Sequence, residues 1–314
     1  MASYLAGSEV TFRGYTDDQG DVYARARPGY RQDLYKIITD YHTSTGGILG
    51  TLLDIGCGAG TATRELGSYF QEAVGLDPSA GMIAAAKSIG GRSLSSPIRF
   101  DVSTDSELGS NLSPPVSDGS IDLVAAATAA QYFDMAAFWA AAARVLKPGG
   151  TVALWRGSFL HIHPSTPNHQ RVQAALNELI DEIQRYKNDS SNNGGETFEA
   201  LPLPWTMKDP VAGFDQESFS RKVWNEDGKV PSDEEFFLNH QILDLNGMEE
   251  YLATVSSTAR WRQANPEAAG TERDVVKVFT RKVEDILQEA VVEEGEERIT
   301  AGMSGVLLMV KKSN

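Results

Sequence analysis

The chain has 314 residues, 41% of them hydrophobic, enough to bury a substantial core as one large domain or as one domain with a cap. Its 43 acidic residues against 28 basic ones give a formal charge of −15, which argues against nucleic-acid backbone or an anionic membrane as a partner. No apolar run approaches the roughly 20 residues of a bilayer span, the first residues lack a signal-like pattern, and the single Cys57 can form no internal disulfide. The expected setting is therefore cytoplasmic; no oligomeric state follows from these properties.

Along the chain, residues 27–42 place apolar side chains at helical spacing and predict an N-terminal helix. "TLLDIG" from Thr51 predicts a short buried strand, and "GTATRELGSYF" a helix that starts at a glycine turn. "EAVGLD" is a second strand, "AGMIAAAKSI" a second helix with Ser79 as its N-cap, and "IRFDV" a third strand. A Pro/Ser loop leads into a fourth strand at Ile121. "MAAFWAAAARVL" is an alanine-rich helix stopped by Pro148, Gly149 and Gly150, and "TVALW" a fifth strand. Strand and helix alternate throughout 51–156, which predicts a parallel sheet covered on both faces.

After Trp155 the rhythm changes. Residues 168–187 predict a helix, 188–196 a loop, 218–224 a strand, 247–261 a helix, 273–294 a longer helix and Gly305–Val310 a final buried strand. The expected organisation is an N-terminal lid and helix over 1–50, a cofactor-binding core over 51–156, an acceptor-binding cap elaboration over 157–301, and a last strand over 302–314 that returns to the sheet.

The glycines at 56, 58 and 60 stand between strand and helix in G-x-G-x-G spacing, after Asp54. A dinucleotide fingerprint spaces its glycines G-x-G-x-x-G to bring pyrophosphate to a helix N-terminus. A phosphate loop needs a following Gly-Lys-Ser/Thr, which this chain lacks. Asp77, ending the second strand, is placed to accept both hydroxyls of a ribose. A nucleoside without a phosphate cradle fits this set.

"LLDIGCGAGTAT", "VGLDPSAGMI", "IDLVAAATAAQYFD" and "RVLKPGGTVALW", in this order and spacing, resemble the class I S-adenosylmethionine-dependent methyltransferases. "YARARPGYRQDLYKIITDYH" and "LNGMEEYLATVSSTARW" extend the resemblance to the fungal trans-aconitate methyltransferase group and its secondary-metabolite relatives, while 157–240 matches weakly. The resemblance implies a Rossmann-like, doubly wound α/β fold with a mostly parallel seven-stranded sheet and a helical cap. Its cofactor is S-adenosyl-L-methionine. Gly56, Cys57, Gly58 and Gly60, preceded by Asp54, would face its methionine and ribose portions, and Asp77 would hold the ribose. Pro78, Ser79 and Met82 would line the adenine face. The acid usually found near adenine has no exact counterpart, because Thr104 stands at its commonest place with Asp105 next, so Asp105 and the Ser106 backbone are alternatives. Ala127 and Thr128 would pass under the methionine portion, and Tyr23 and Arg27 would fold over its amino-acid end. Many relatives have His-Trp where this chain has Gln131-Tyr132.

The expected reaction is methyl transfer to a carboxylate oxygen or thiol sulfur of a small metabolite. Both are nucleophiles without a dedicated base, whereas a phenol or amine would call for one, with His161 and His163 as the first candidates. The acceptor pocket is expected around Gln131, Tyr132, Arg156, His161 and Trp261. Acidic residues outnumber basic ones over 157–301, which disfavours a strongly anionic acceptor, although Arg156, Arg260 and Arg262 could serve one. No ligand cluster marks a metal site. Cys57 reads as a small buried filler, and the run Glu293 to Glu297 as a solvated face. The alternatives are a cofactor-binding partner without turnover and a different reaction on the same fold.

Overall fold

The computed structural model describes residues 13–27, 29–186, 197–290 and 297–313. The expected loop at 188–196 and the acidic residues 293–296 lie outside that range. Glu297 lies inside it and is buried rather than solvated.

Two helices, α1 (Asp17–Ala26) and α2 (Gln32–Ser44), precede the sheet, where one helix over 27–42 is expected. The first has its own start signal. Thr16 caps it by accepting from the Gln19 amide, while the Gln19 side chain accepts from the Thr16 amide, a reciprocal capping box written as T-x-x-Q. Then follow β1 (Thr51–Ile55), α3 (Thr61–Gly67), β2 (Glu72–Asp77), α4 (Ala80–Ile89), β3 (Arg99–Val102), β4 (Ile121–Ala127), α5 (Met135–Val145) and β5 (Leu146–Ile162). The C-terminal part supplies α6 (His169–Gln184), β6 (Phe214–Trp224), β7 (Asn239–Leu243), α7 (Leu245–Ala253), α8 (Ser256–Ala264), α9 (Val275–Gln288) and β8 (Ile299–Lys312). The helix expected over 247–261 is two helices, α7 and α8.

The described strands form one sheet in the order β3-β2-β1-β4-β5-β8-β6, with β7 also paired to β8. Neighbours from β3 to β5 run parallel; β8 runs antiparallel to β5, β6 and β7. The mostly parallel α/β architecture is as expected, with eight strands rather than seven. The extra one, β7, is five residues long and polar (NHQIL), and pairs with the first part of β8 where β6 pairs with the rest. β5 also runs seven residues beyond Trp155, because β8 pairs it as far as Ile162.

Alternating side chains split the core in two. Leu52, Leu123 and Ala153 pack with α2, α3 and α4, while Leu53, Val124 and Val152 pack with α5. A third cluster joins α6 to α9 over the far ends of β5 and β8, through Leu160, Ile162, Ile299 and Ala301. α1 lies directly on α4, where Gly20 and Gly81 let the backbones meet. A Cβ on Gly81 would stand 2.2 Å from the Tyr15 carbonyl. That contact brings the end of α1 over the sheet. Among the described residues no helix is long and apolar enough to cross a membrane.

Candidate active site

The strand order reverses between β1 and β4, and a cavity of about 190 Å³ opens at the carboxyl ends of β1, β2 and β4, the usual place for a ligand in an open α/β sheet. Its floor is the turn after β1. Gly58 has φ +53°, a left-handed conformation that favours glycine, and a Cβ there would point at the Tyr23 ring. The Gly58 amide donates to Asp77 Oδ2 at 2.9 Å, and the Ser79 amide donates to Oδ1 at 2.8 Å. Asp77 therefore ties the glycine turn to the start of α4 and still lines the cavity. Burial pushes its carboxyl up to about 6, against the pull of those two amides.

Asp54 lies beside this turn, 1% exposed. Its Oδ2 accepts from the Thr63 hydroxyl at 2.6 Å, but among the described residues nothing donates to Oδ1. Burial, with Asp77 nearby, pushes its carboxyl up to about 7. A buried carboxyl with one oxygen lacking a donor, beside a second carboxyl that lines the cavity, below a turn with no phosphate cradle, suits a ligand that is cationic and carries hydroxyls. S-adenosylmethionine, a sulfonium with an ammonium and a ribose, fits that set. Cys57 also lines the cavity, and burial raises its thiol well above the usual range, as suits a filler rather than a nucleophile.

Of the residues expected around the cofactor, Tyr23, Arg27, Gly56, Cys57, Gly58, Asp77, Pro78, Met82, Asp105, Ala127 and Thr128 line this cavity. Asp105 does so while accepting from the Asp134 amide at 2.8 Å. Thr104 and Ser106 do not. They hydrogen-bond each other, and Thr104 also bonds to Glu107. Asp54 is buried against Thr63, Ser79 is buried as the N-cap of α4, and Gly60 forms the N-terminus of α3 against Phe100; none of the three lines the cavity. Arg13, Tyr30 and Tyr251 are among the lining residues that were not expected. Tyr30 bonds the Thr128 hydroxyl at 2.9 Å. Arg27 lies between the Tyr23 and Tyr251 rings, 5.3 and 4.8 Å from their centroids, and donates to Thr254 Oγ1 at 2.8 Å.

A second cavity, of about 140 Å³, adjoins the first. The two share Tyr23, Arg27, Thr128, Tyr132, Gly157, Ser158 and Tyr251. Beyond these the second is lined by Gln131, Arg156, Arg260 and side chains of β5, α6, α7 and α8. Among the described residues three arginines line it, and no Asp, Glu, Lys or His does. The acidic excess of 157–301 thus belongs to other parts of that region.

Gln131, Tyr132 and Arg156 stand where an acceptor pocket is expected. His161, His163, Trp261 and Arg262 do not. β5 continues past Trp155, and its residues as far as Leu160 line the second cavity, but the next residue, His161, does not. It stacks on Phe236 and lines a separate surface groove with Gln173 and Asp227. His163 bonds Ser165 and the Glu234 carbonyl. Trp261 is packed in the helical cluster, donating to Glu182, and Arg262 pairs with Asp274. Proximity in sequence to a strand end misleads when the strand does not end there. The capping box at Thr16 was the signal for α1, and hence for the helix that carries Tyr23.

An open α/β sheet with a glycine turn and a carboxylate at its switch point defines a Rossmann-like nucleoside-cofactor protein. Residues 53–154 match the methyltransferase domain family. The "Probable S-adenosylmethionine-dependent methyltransferase CRG1" of Saccharomyces cerevisiae is 27% identical over 273 residues, 84% of this chain and 86% of that protein. "Methyltransferase cfoB" of Aspergillus candidus is 32% identical over 157 residues, 49% of this chain and 47% of its own length. The fold resembles that of the "Putative Type II Methyltransferase" from Anaeromyxobacter dehalogenans, with 19% identity and a TM-score of 0.58 over 92% of this chain and 97% of that one. Residues 53–154 are thus a methyltransferase domain, and S-adenosylmethionine is its cofactor.

Proposed function

We propose that the enzyme methylates a carboxylate oxygen or a thiol sulfur of a small metabolite, with the cofactor in the first cavity and the acceptor in the second. The observation that carries this is the lining of the second cavity, which joins the first and, among the described residues, offers no Asp, Glu, Lys or His as a base. An acceptor there must arrive as a nucleophile, and at neutral pH a carboxylate does so fully and a thiol in part. When bound, S-adenosylmethionine supplies an electrophilic methyl group, and its methyl–sulfur bond breaks with the electron pair left on sulfur as the acceptor's lone pair forms the new bond. The protein's share is to hold and align. Asp77 accepts from the ribose hydroxyls, Asp54 offers negative charge beside the turn, and Tyr23, Tyr30 and Tyr251 surround the shared wall with aromatic faces suited to a cation. α1 and α7 close over that wall through Arg27 and Thr254, which limits water where the cavities meet.

The test is methyl-labelled cofactor with a panel of carboxylate, thiol, phenol and amine acceptors. Label is expected in the acid or thiol products. Label confined to phenols or amines would contradict the proposal.

A further inference from the structure

The lining of the second cavity is sorted by chemistry. Arg27 lies on the wall shared with the first cavity, and Gln131 bonds to Thr128 on that same wall. Leu176, Ile180 and Ile183 of α6, with Leu252 and Val255 from α7 and its end, line only the second cavity. One part therefore offers polar groups beside the cofactor site and another an aliphatic wall, with Arg156 of β5 and Ser256, Ser257 and Arg260 of α8 also in the lining.

Gln131 is 3% exposed. Its Nε2 donates to the Thr128 carbonyl at 2.9 Å. A carbonyl can only accept, so the amide nitrogen must face Thr128, and this fixes which atom is Oε1. Among the described residues nothing donates to that oxygen. A buried acceptor left without a donor is costly, so a ligand that brings one is favoured over a ligand that does not. Arg27 directs three of its five N–H groups to Tyr251 and Thr254 and, among the described residues, keeps two for a carboxylate.

On the basis of the methyl-transfer function above, we infer that the acceptor is a hydroxy acid with one carboxylate and an aliphatic body. The carboxylate lies between Arg27 and Arg156, the neighbouring hydroxyl donates to Gln131 Oε1, and the hydrocarbon lies along α6 and α7. A carboxylate lone pair forms the bond to the methyl carbon as the methyl–sulfur bond breaks with its pair on sulfur. The acid loses its negative charge, the sulfonium its positive charge, and no proton moves. Gln131, which does not titrate, acts as a specificity-determining residue and not as a base. Arg260, the remaining guanidinium of that lining, already donates to the Tyr186 carbonyl and the Ser256 hydroxyl, so further carboxylates would lie largely against the aliphatic side chains, which penalises polycarboxylates.

The test is transfer of labelled methyl to α-hydroxyisocaproate, isocaproate, tricarballylate and benzyl mercaptan. The hydroxy acid is expected to lead isocaproate and tricarballylate by about tenfold or more in kcat/KM, the scale of a buried hydrogen bond made or missed. Gln131→Met should draw the ratio of hydroxy acid to isocaproate toward one, with thermal stabilisation by S-adenosylhomocysteine confirming that the variant folds. Should that variant not fold, the wild-type ratio and Gln131→Asn decide. Equal use of the two monoacids, preference for tricarballylate, or no acid product overturns the inference. Methylation of benzyl mercaptan alone overturns it while leaving the proposed function standing, and transfer to no acceptor in the wider panel overturns both.

Discussion

Much of the first cavity comes from a few short stretches, each at the end of a strand: 55–59 after β1, 77–82 after β2 and 127–129 after β4. The second is assembled from β5, α6, α7, α8 and the end of α1, and one of its tethers, Arg27 to Thr254, spans 227 residues. The first is built on a backbone turn and buried carboxyls; the second combines guanidinium groups, one amide and an aliphatic wall. Local backbone geometry serves a fixed cofactor, whereas an acceptor site made from distant side chains can change without disturbing it.

If the two cavities are separable in function, their variants should separate too. The largest effect is expected from Asp77→Ala, which removes the ribose acceptor and the tie between Gly58 and Ser79. It should weaken S-adenosylhomocysteine binding by about 1.5–3 kcal/mol, the worth of hydrogen bonds to a charged group, and lower turnover of every acceptor alike. Calorimetric titration reads this directly. Arg156→Met should act in the opposite sense, with the cofactor dissociation constant unchanged and kcat/KM for acids reduced by about tenfold, the scale of one lost charged contact. Steady-state kinetics with each substrate varied checks it.

The pH dependence sharpens the same contrast. Asp77 and Asp54 are raised by burial to about 6 and about 7, from an ordinary value near 3.9. A carboxyl raised on folding contributes stability that is fully present below about pH 4 and is lost as pH climbs through 6 and 7. Cofactor binding has the opposite sign if ionised Asp77 is the form that takes the ribose hydroxyls. Affinity for S-adenosylhomocysteine should then fall by about tenfold between pH 8 and pH 5, and Asp77→Asn should flatten the profile. A flat wild-type profile would remove Asp77 from this role.

The smallest effect is expected at His161. Because His161 lines a separate groove and neither cavity, His161→Ala should leave acceptor preference and kcat/KM within about twofold, as for ordinary surface changes. A larger change in acceptor choice would bring the far end of β5 back into the site.

The sequence made the cofactor side legible because its constraints are local. A glycine turn after an apolar strand and an acid ending the next strand can be read as they stand, and Gly58 and Asp77 meet through a backbone hydrogen bond. The acceptor side was legible in part. Gln131 follows the end of β4 and Arg156 the apolar run of β5, but Tyr251 reaches Arg27 across 224 residues, and no periodicity encodes that contact. His161 and Trp261 were misplaced for different physical reasons. β5 is prolonged by its pairing with β8, which only the tertiary structure supplies. The tryptophan is taken up by packing among α6 to α9, where a large apolar ring gains more than at a pocket wall. β7 escaped because five mostly polar residues carry too little alternation to announce a strand.

The division of the site into two joined cavities is tested most directly by a crystal structure of the enzyme with S-adenosylhomocysteine. The account predicts the ribose against Asp77 in the first cavity, the sulfur at the wall formed by Tyr23, Thr128 and Tyr132, and the space between Arg156 and α6 left open for an acceptor. Density for the cofactor product running into that space, or lying away from Asp77, would contradict it.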